Sequence, residues 1–181
     1  MKITPTALQD MLLIEPQLLA DERGFFYESF NARRFTELTN VAANFVQDNF
    51  SRSRRNVLRG LHYQIQETQG KLVQVMAGEV FDVAVDLRQS SPSFGRWVGT
   101  ALSATNRLQH WIPPGFAHGF LVMSASADVL YKTTAYYAPE HERSILWDDA
   151  SIGIQWPLQN QPSLSAKDSR AGLLKNAELF G

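Results

Sequence analysis

Short stretches of alternating apolar and polar residues, broken by glycine and proline, fill most of this 181-residue chain. Residues 1–20 alternate brief apolar runs with breaks at Pro5 and Pro16, and residues 11–16 read as a strand. Asp21-Glu22-Arg23-Gly24 is a polar turn, and Phe25-Phe26-Tyr27-Glu28 an aromatic strand ending in an acid. Asn31 is a good N-cap for a short helix to about Leu38, with Phe30 and Phe35 spaced as a hydrophobic staple. From Phe45 strand follows strand: residues 45–53, 57–64, 71–76, a turn at Ala77-Gly78, then 80–87. In that last strand Phe81, Val83, Val85 and Leu87 share one face, and Asp82, Ala84 and Asp86 the other. Residues 91–95 form a turn, 96–103 a strand, 111–123 a proline-punctuated loop entering a strand, and 129–137 a final strand. Beyond Pro139 the chain is loop-rich. Many short strands between Gly/Pro turns, with little helix, predict an all-β antiparallel sandwich or barrel. Such a barrel holds one small ligand in its mouth.

Composition narrows this reading. A hydrophobic fraction of 44% with eleven Phe and four Trp is enough for a core, and no break divides residues 1–181 into more than one domain. Lys+Arg at 17 against Asp+Glu at 18 argues against wholesale binding to nucleic acid or a membrane surface, while allowing a local anion pocket. The absence of cysteine removes disulfides, thiolate metal sites and cysteine nucleophiles, and fits a reducing compartment. No apolar run is long enough for a signal peptide or a membrane span, so the expected location is the cytoplasm.

The candidate chemistry centres on Arg59-Gly60-Leu61-His62-Tyr63-Gln64. Arg holds phosphate oxygens bidentately and His moves protons near neutral pH, a combination suited to a phosphorylated substrate. Strict alternation puts Arg59 and His62 on opposite faces of a strand. Gly60 offers the remedy, so irregular pairing is expected there. Arg52, Arg54 and Arg55 are expected to face solvent.

Pro113-Pro114-Gly115-Phe116-Ala117-His118 fits the P-x-G-x-x-H element of cupins. Between residues 21 and 169, DERGFFYESF, QDNFSRS, VLRGLHYQ, KLVQVMAGEVFDVAVDLR, SPSFGRWVG, WIPPGFAHGFLV, YKTTAYYAPEHERSILWDD and LSAKDS occur in the order found in the dTDP-4-dehydrorhamnose 3,5-epimerase family, which the chain resembles. The resemblance implies a cupin-type jelly-roll barrel of mainly antiparallel strands with a few short helices. It implies inversion of C3 and C5 of dTDP-4-dehydro-6-deoxy-D-glucose to dTDP-4-dehydro-L-rhamnose, for dTDP-L-rhamnose synthesis. It further implies no metal or organic cofactor, and a homodimer.

Both carbons flank the C4 ketone, so proton removal leaves an enolate with its charge on O4. The family likeness implies His62 as base, Asp168 as acceptor of its other ring N–H, Lys71 as the cation at O4, and Tyr131 as the acid across the ring. A phenol is a poor acid in water, and cations nearby in a barrel interior are expected to lower its pKa. Without that likeness Lys71 reads as a surface lysine, Asp168 as a solvated loop acid and Tyr131 as a core tyrosine. At the nucleotide end, Arg59 and Arg23 suit the diphosphate, with Lys167 a further cation. Glu28, Gln47, Asp48 and Asn49 suit the ribose and thymine edges, while Tyr137 and Phe26 offer rings for the base to stack on. Arg23 and Glu28 are expected to complete the neighbouring subunit's site. His118 and Glu142 match pocket positions of the family.

The chief rival is a metal-dependent cupin oxygenase. Gln64 stands where the second His of its H-x-H motif belongs, and Glu67 follows too soon, so His62 and His118 make a poor metal site. Other readings are a C3-only epimerase, a ketoisomerase, or a barrel that merely binds nucleotide sugars. His110 and His141 read as surface or structural residues. His110 stands where the family often has an apolar residue, a departure expected to concern packing or the subunit edge.

Overall fold

The computed structural model describes residues 1–42 and 44–181. In chain order come β1 (Lys2–Pro5), β2 (Leu12–Glu15), β3 (Leu19–Asp21), β4 (Gly24–Phe26), α1 (Ala32–Thr39), β5 (Gln47–Arg54) and β6 (Leu58–Gln64). Then follow β7 (Lys71–Ala77), β8 (Glu79–Asp86), β9 (Trp97–Ser103), β10 (Gln109–Ile112), β11 (Phe116–Val122), β12 (Ser126–Thr133) and β13 (Glu142–Ser144). One sheet is ordered β1-β2-β10-β7-β12-β5 and the other β13-β6-β11-β8-β9, while β3 and β4 pair as a separate hairpin. The named strand pairs are all antiparallel.

The two sheets close on a shared core. Val73, Val75 and Val129 from the first meet Val80, Ala84, Phe116, Phe120 and Leu102 from the second. This is the expected all-β jelly-roll arrangement. Among the described residues, no helix is long and apolar enough to cross a membrane.

Strand β8 shows how burial on both faces departs from simple amphipathic logic. Val80, Asp82 and Ala84 lie toward the other sheet, Val80 and Ala84 within the shared core. Val83, Val85 and Leu87 point the other way, yet Ile145, Ile152, Ile154 and Leu174 from the C-terminal region cover them. Covering this outer face by loop-rich chain brings residues beyond Pro139 over the same sheet that carries His62.

The opposite wall is closed by α1. Asn31 accepts a hydrogen bond from the Arg34 amide at 3.1 Å, capping the helix as its sequence predicts. Phe30 and Phe35 meet with ring centroids 6.0 Å apart, and Phe45 and Trp111 complete the aromatic cluster over the sheet. Asn40 ends the helix in the left-handed conformation at φ 56°.

Candidate active site

Strand β5 is polar because one of its faces lines a pocket. Gln47, Asn49 and Ser51 point into it, whereas Asp48, Phe50, Arg52 and Arg54 point outward. Arg52, Arg54 and Arg55 are exposed, as expected, and Arg52 holds Asp128 through two hydrogen bonds of 2.6 Å.

Arg59 and His62 both line this same pocket. Their parity conflict is resolved by a bulge: His62 faces His118 while Arg59 faces Phe120, so three steps on β6 span two on β11. Gly60 sits at the irregularity with φ +125°, and the Gly60–Leu61 peptide is cis. The backbone approaches so closely that a Cβ on Gly60 would stand 2.5 Å from Gly119 Cα and 2.9 Å from the His118 carbonyl oxygen. We expect Gly60→Ala to cost about 3 kcal/mol, from overpacking and an unfavourable backbone angle together. Gly172→Ala, with open space at its Cβ, is the matched control. Urea midpoints of the two variants check this, and equal midpoints would refute it.

His62 gives Nε2 to Asp168 Oδ1 at 2.6 Å. Asp168 opens a single 3-10 turn, Asp168–Arg170, and is 2% exposed. Burial pushes its pKa up, but the hydrogen bond and charge of His62 outweigh this, leaving it below the usual carboxylate range. A carboxylate only accepts, so Nε2 carries the proton and Nδ1 is left as the basic nitrogen.

Lys71 opens β7 and is buried rather than a surface residue. Its one protein hydrogen bond among the described residues is a long 3.5 Å contact to the His62 carbonyl, so ammonium donors remain for a ligand. Loss of solvation lowers its pKa to about 8, although Asp82 and Glu142 pull it up.

Tyr131 stands on β12 in the sheet facing that of His62, and both line the pocket. Burial raises the Tyr131 pKa, and Arg59 only partly opposes it. The expected lowering by nearby cations is therefore corrected: desolvation wins. The phenol keeps its proton at neutral pH and is a donor.

At the mouth, Tyr137 donates its hydroxyl to Glu142 at 3.0 Å, and Lys167 pairs with the other Glu142 oxygen at 2.7 Å. Burial raises the Glu142 pKa, but Lys167 and Tyr137 together hold it below its ordinary value. Gln47 donates to Asn49 at 2.8 Å and accepts from the Tyr137 amide at 3.0 Å. Arg59 donates to Ser53 Oγ at 2.9 Å. His118 also lines the pocket, with Nε2 2.7 Å from Asp82.

Four candidates stand apart from this group. Asp48, expected beside Gln47 and Asn49, lies on the outer face of β5, 2.9 Å from Lys132; the period of two in a strand excludes it. Arg23, Phe26 and Glu28 lie on or beside the exposed β3–β4 hairpin and do not line the pocket of their own chain. There Arg23 pairs with Asp21, and Glu28 with Arg34.

Two residues that the sequence left without chemistry have structural roles. Gln64, the misfit in a metal motif, has its amide bound to the carbonyls of Glu67 and Tyr136 and to the Ala138 N–H, fixing the loop above the pocket. His110 is neither at the surface nor at an edge. It is 0% exposed on β10, between β2 and β7, and its Nδ1 is 2.8 Å from Asp82. His141 is half-buried.

The sequence profile described as dTDP-4-dehydrorhamnose 3,5-epimerase matches residues 5–176. The chain is 57% identical to the dTDP-4-dehydrorhamnose 3,5-epimerase of Pseudomonas aeruginosa over 180 residues, covering 99% of each chain. It is also 57% identical to the enzyme of that name from Salmonella typhimurium, covering 99% and 98%. Among solved structures it resembles a Legionella pneumophila 3,5-epimerase in complex with dTDP-4-keto-L-rhamnose. There the TM-score is 0.95 and the identity 58%, over 98% of this chain and 94% of that one.

Proposed function

The chain belongs to the dTDP-4-dehydrorhamnose 3,5-epimerase family, and from that premise we propose how its residues invert C3 and C5 of dTDP-4-dehydro-6-deoxy-D-glucose. His62 Nδ1 removes the proton beside the ketone, and Asp168 stabilises the imidazolium that results. The electron pair moves to O4, where Lys71, itself buried, supplies the compensating charge. Tyr131 donates a proton to the opposite face of the carbon. The product of two such inversions is dTDP-4-dehydro-L-rhamnose, a precursor of dTDP-L-rhamnose.

The observation that carries this reading is the 2.6 Å contact between His62 and Asp168, beside a buried lysine and across from a tyrosine on the other sheet. Opposed positions are what inversion requires, since a proton returned from the same side restores the original centre. Arg59 and Lys167 serve the diphosphate, Gln47 and Asn49 the nucleoside, and the Tyr137 ring stacks on thymine. Glu142 orients Tyr137 and Lys167 at the mouth. Residues 1–181 act as one domain, because Asp168 near the C-terminus completes a site on β6. A chain without cysteine acting on a nucleotide sugar belongs in the cytoplasm.

The functional unit we propose is a homodimer. The β3–β4 hairpin exposes Leu19, Phe25 and Phe26, a patch that gains by burial against a second copy. Arg23, Phe26 and Glu28 would then reach the partner's pocket. Full turnover by a monomer at high dilution would rule this out.

Incubation with dTDP-4-dehydro-6-deoxy-D-glucose in D₂O, followed by NMR, tests the reaction. Deuterium is expected at both C3 and C5, in the inverted product. Label at C3 alone would make the protein a C3 epimerase, and no label would make it a binding protein. Tyr131→Phe is expected to retain exchange into the substrate while inverted product falls about 100-fold; parental product formation would remove Tyr131 as the acid.

A further inference from the structure

Behind His118 lies a buried polar chain that the reaction scheme does not use. Asp82 on β8 is 0% exposed and divides its two oxygens. Oδ2 is 2.7 Å from His118 Nε2, and Oδ1 is 2.8 Å from His110 Nδ1. His118 and Asp82 belong to one sheet and His110 to the other, so the chain bridges the barrel. Because a carboxylate offers only lone pairs, both histidines donate: His118 through Nε2–H and His110 through Nδ1–H.

The far nitrogen of His110, Nε2, is buried and has no partner among the described residues. A neutral ring leaves only a lone pair there, whereas an imidazolium would bury an unsatisfied N–H, the costlier arrangement. The geometry thus selects the neutral Nδ1–H form of His110. On the pocket side, His118 has no protein partner for Nδ1 among the described residues, and this is the nitrogen left for a ligand. Burial lowers the pKa of His118, against the pull of Asp82.

We propose that His110 is a positioning residue: through Asp82 it holds His118 in the neutral Nε2–H tautomer, so that Nδ1 accepts a hydrogen bond from a hydroxyl of the bound sugar. The proposal rests on the reading of the pocket as a nucleotide-sugar site. Sharing the carboxylate between two donors is the device. Without His110, the whole of Asp82 acts on His118, the imidazolium is favoured, and Nδ1 becomes a donor where an acceptor is needed. The other titratable and charged groups around His118 are Lys71 on β7, Arg59 and His62 on β6, Tyr131 on β12 and Glu142 on β13. They are unchanged by substitution at position 110, which isolates the effect of Asp82.

The test uses His110→Leu, which fills the site without a donor, and His110→Asn, whose amide can place a donor near the position of Nδ1. In His110→Leu, KM for dTDP-4-dehydro-6-deoxy-D-glucose is expected to rise roughly 3- to 10-fold at pH 6.5 with little change in kcat. The difference should close as pH rises and His118 loses its extra proton. ¹⁵N NMR of the ligand-free protein should show His118 as neutral Nε2–H in the parent, but as imidazolium up to a higher pH in His110→Leu. His110→Asn should recover the parental pattern. A His110→Leu protein that is merely less stable, with the parental pH profile and His118 spectrum, overturns the proposal. The spectrum needs no substrate, so a parent inactive on the sugar nucleotide would defeat the functional reading separately.

Discussion

His62→Gln is expected to lower kcat about 1000-fold, the middle of the range for removal of a general base, while the protein stays folded. The glutamine amide reaches to about the place of Nε2, so it still donates to Asp168 but offers no basic nitrogen to the sugar. His62→Ala should lose as much activity and also about 2 kcal/mol of stability, because it leaves a carboxylate that is 2% exposed without its partner. Comparing the two variants separates chemistry from folding. Deuterium exchange at C3 and C5 should fall together in both, since one imidazole serves both carbons. A His62→Gln enzyme within tenfold of parental turnover would mean that another group takes the proton. Exchange lost at one carbon and kept at the other would mean that each has its own base.

The same dyad shows where sequence reasoning reaches its limit. His62 stands out because an imidazole and a fixed cation within four residues are rare in a barrel strand. Asp168, 106 residues away, is an ordinary loop acid until the fold brings it over β6, and only resemblance to the family singled it out. Gly60 was legible for a different reason: the alternation of a strand could not put Arg59 and His62 in one pocket without an irregularity. That contradiction located the bulge. The same alternation, applied to Gln47, Asp48 and Asn49, would have excluded Asp48, yet grouping them as a polar run obscured it.

Long-range burial was not legible at all. Nothing local marks His110 as lying inside the barrel opposite Asp82, since its partner sits on the other sheet. Nor does periodicity reveal that both faces of β8 are covered, because the cover comes from a C-terminal region with little regular structure. The direction of the Tyr131 shift was missed on the same grounds: the cation is visible in sequence, and the depth of burial that outweighs it is not.

Depth of burial also sets the behaviour expected of Lys71→Met, where activity and stability should move in opposite directions. An ammonium in a desolvated site is useful because its charge is poorly screened when the enolate forms, and it is costly to the folded protein for the same reason. Methionine keeps the bulk and removes the charge, so kcat should fall about 100- to 1000-fold. The parent's lysine has a pKa of about 8 when folded, against an ordinary 10.5, with loss of solvation the main cause. Between these values the unfolded chain binds the extra proton, so the parent's stability rises with pH across that window. Below pH 8 the full cost is present, about 3 kcal/mol at 1.36 kcal/mol per pH unit. Lys71→Met should therefore be more stable than the parent at pH 7, and the advantage should shrink toward pH 10.5. Over the same rise the parent's rate should fall as the ammonium is lost above about pH 8, while the variant's slow rate shows no such step. Urea unfolding at pH 7 and pH 10, with rates from pH 6 to 9.5, measures both halves. A variant that keeps turnover within threefold of the parent removes Lys71 from the chemistry, and one less stable at pH 7 would show that the lysine's contacts outweigh its desolvation.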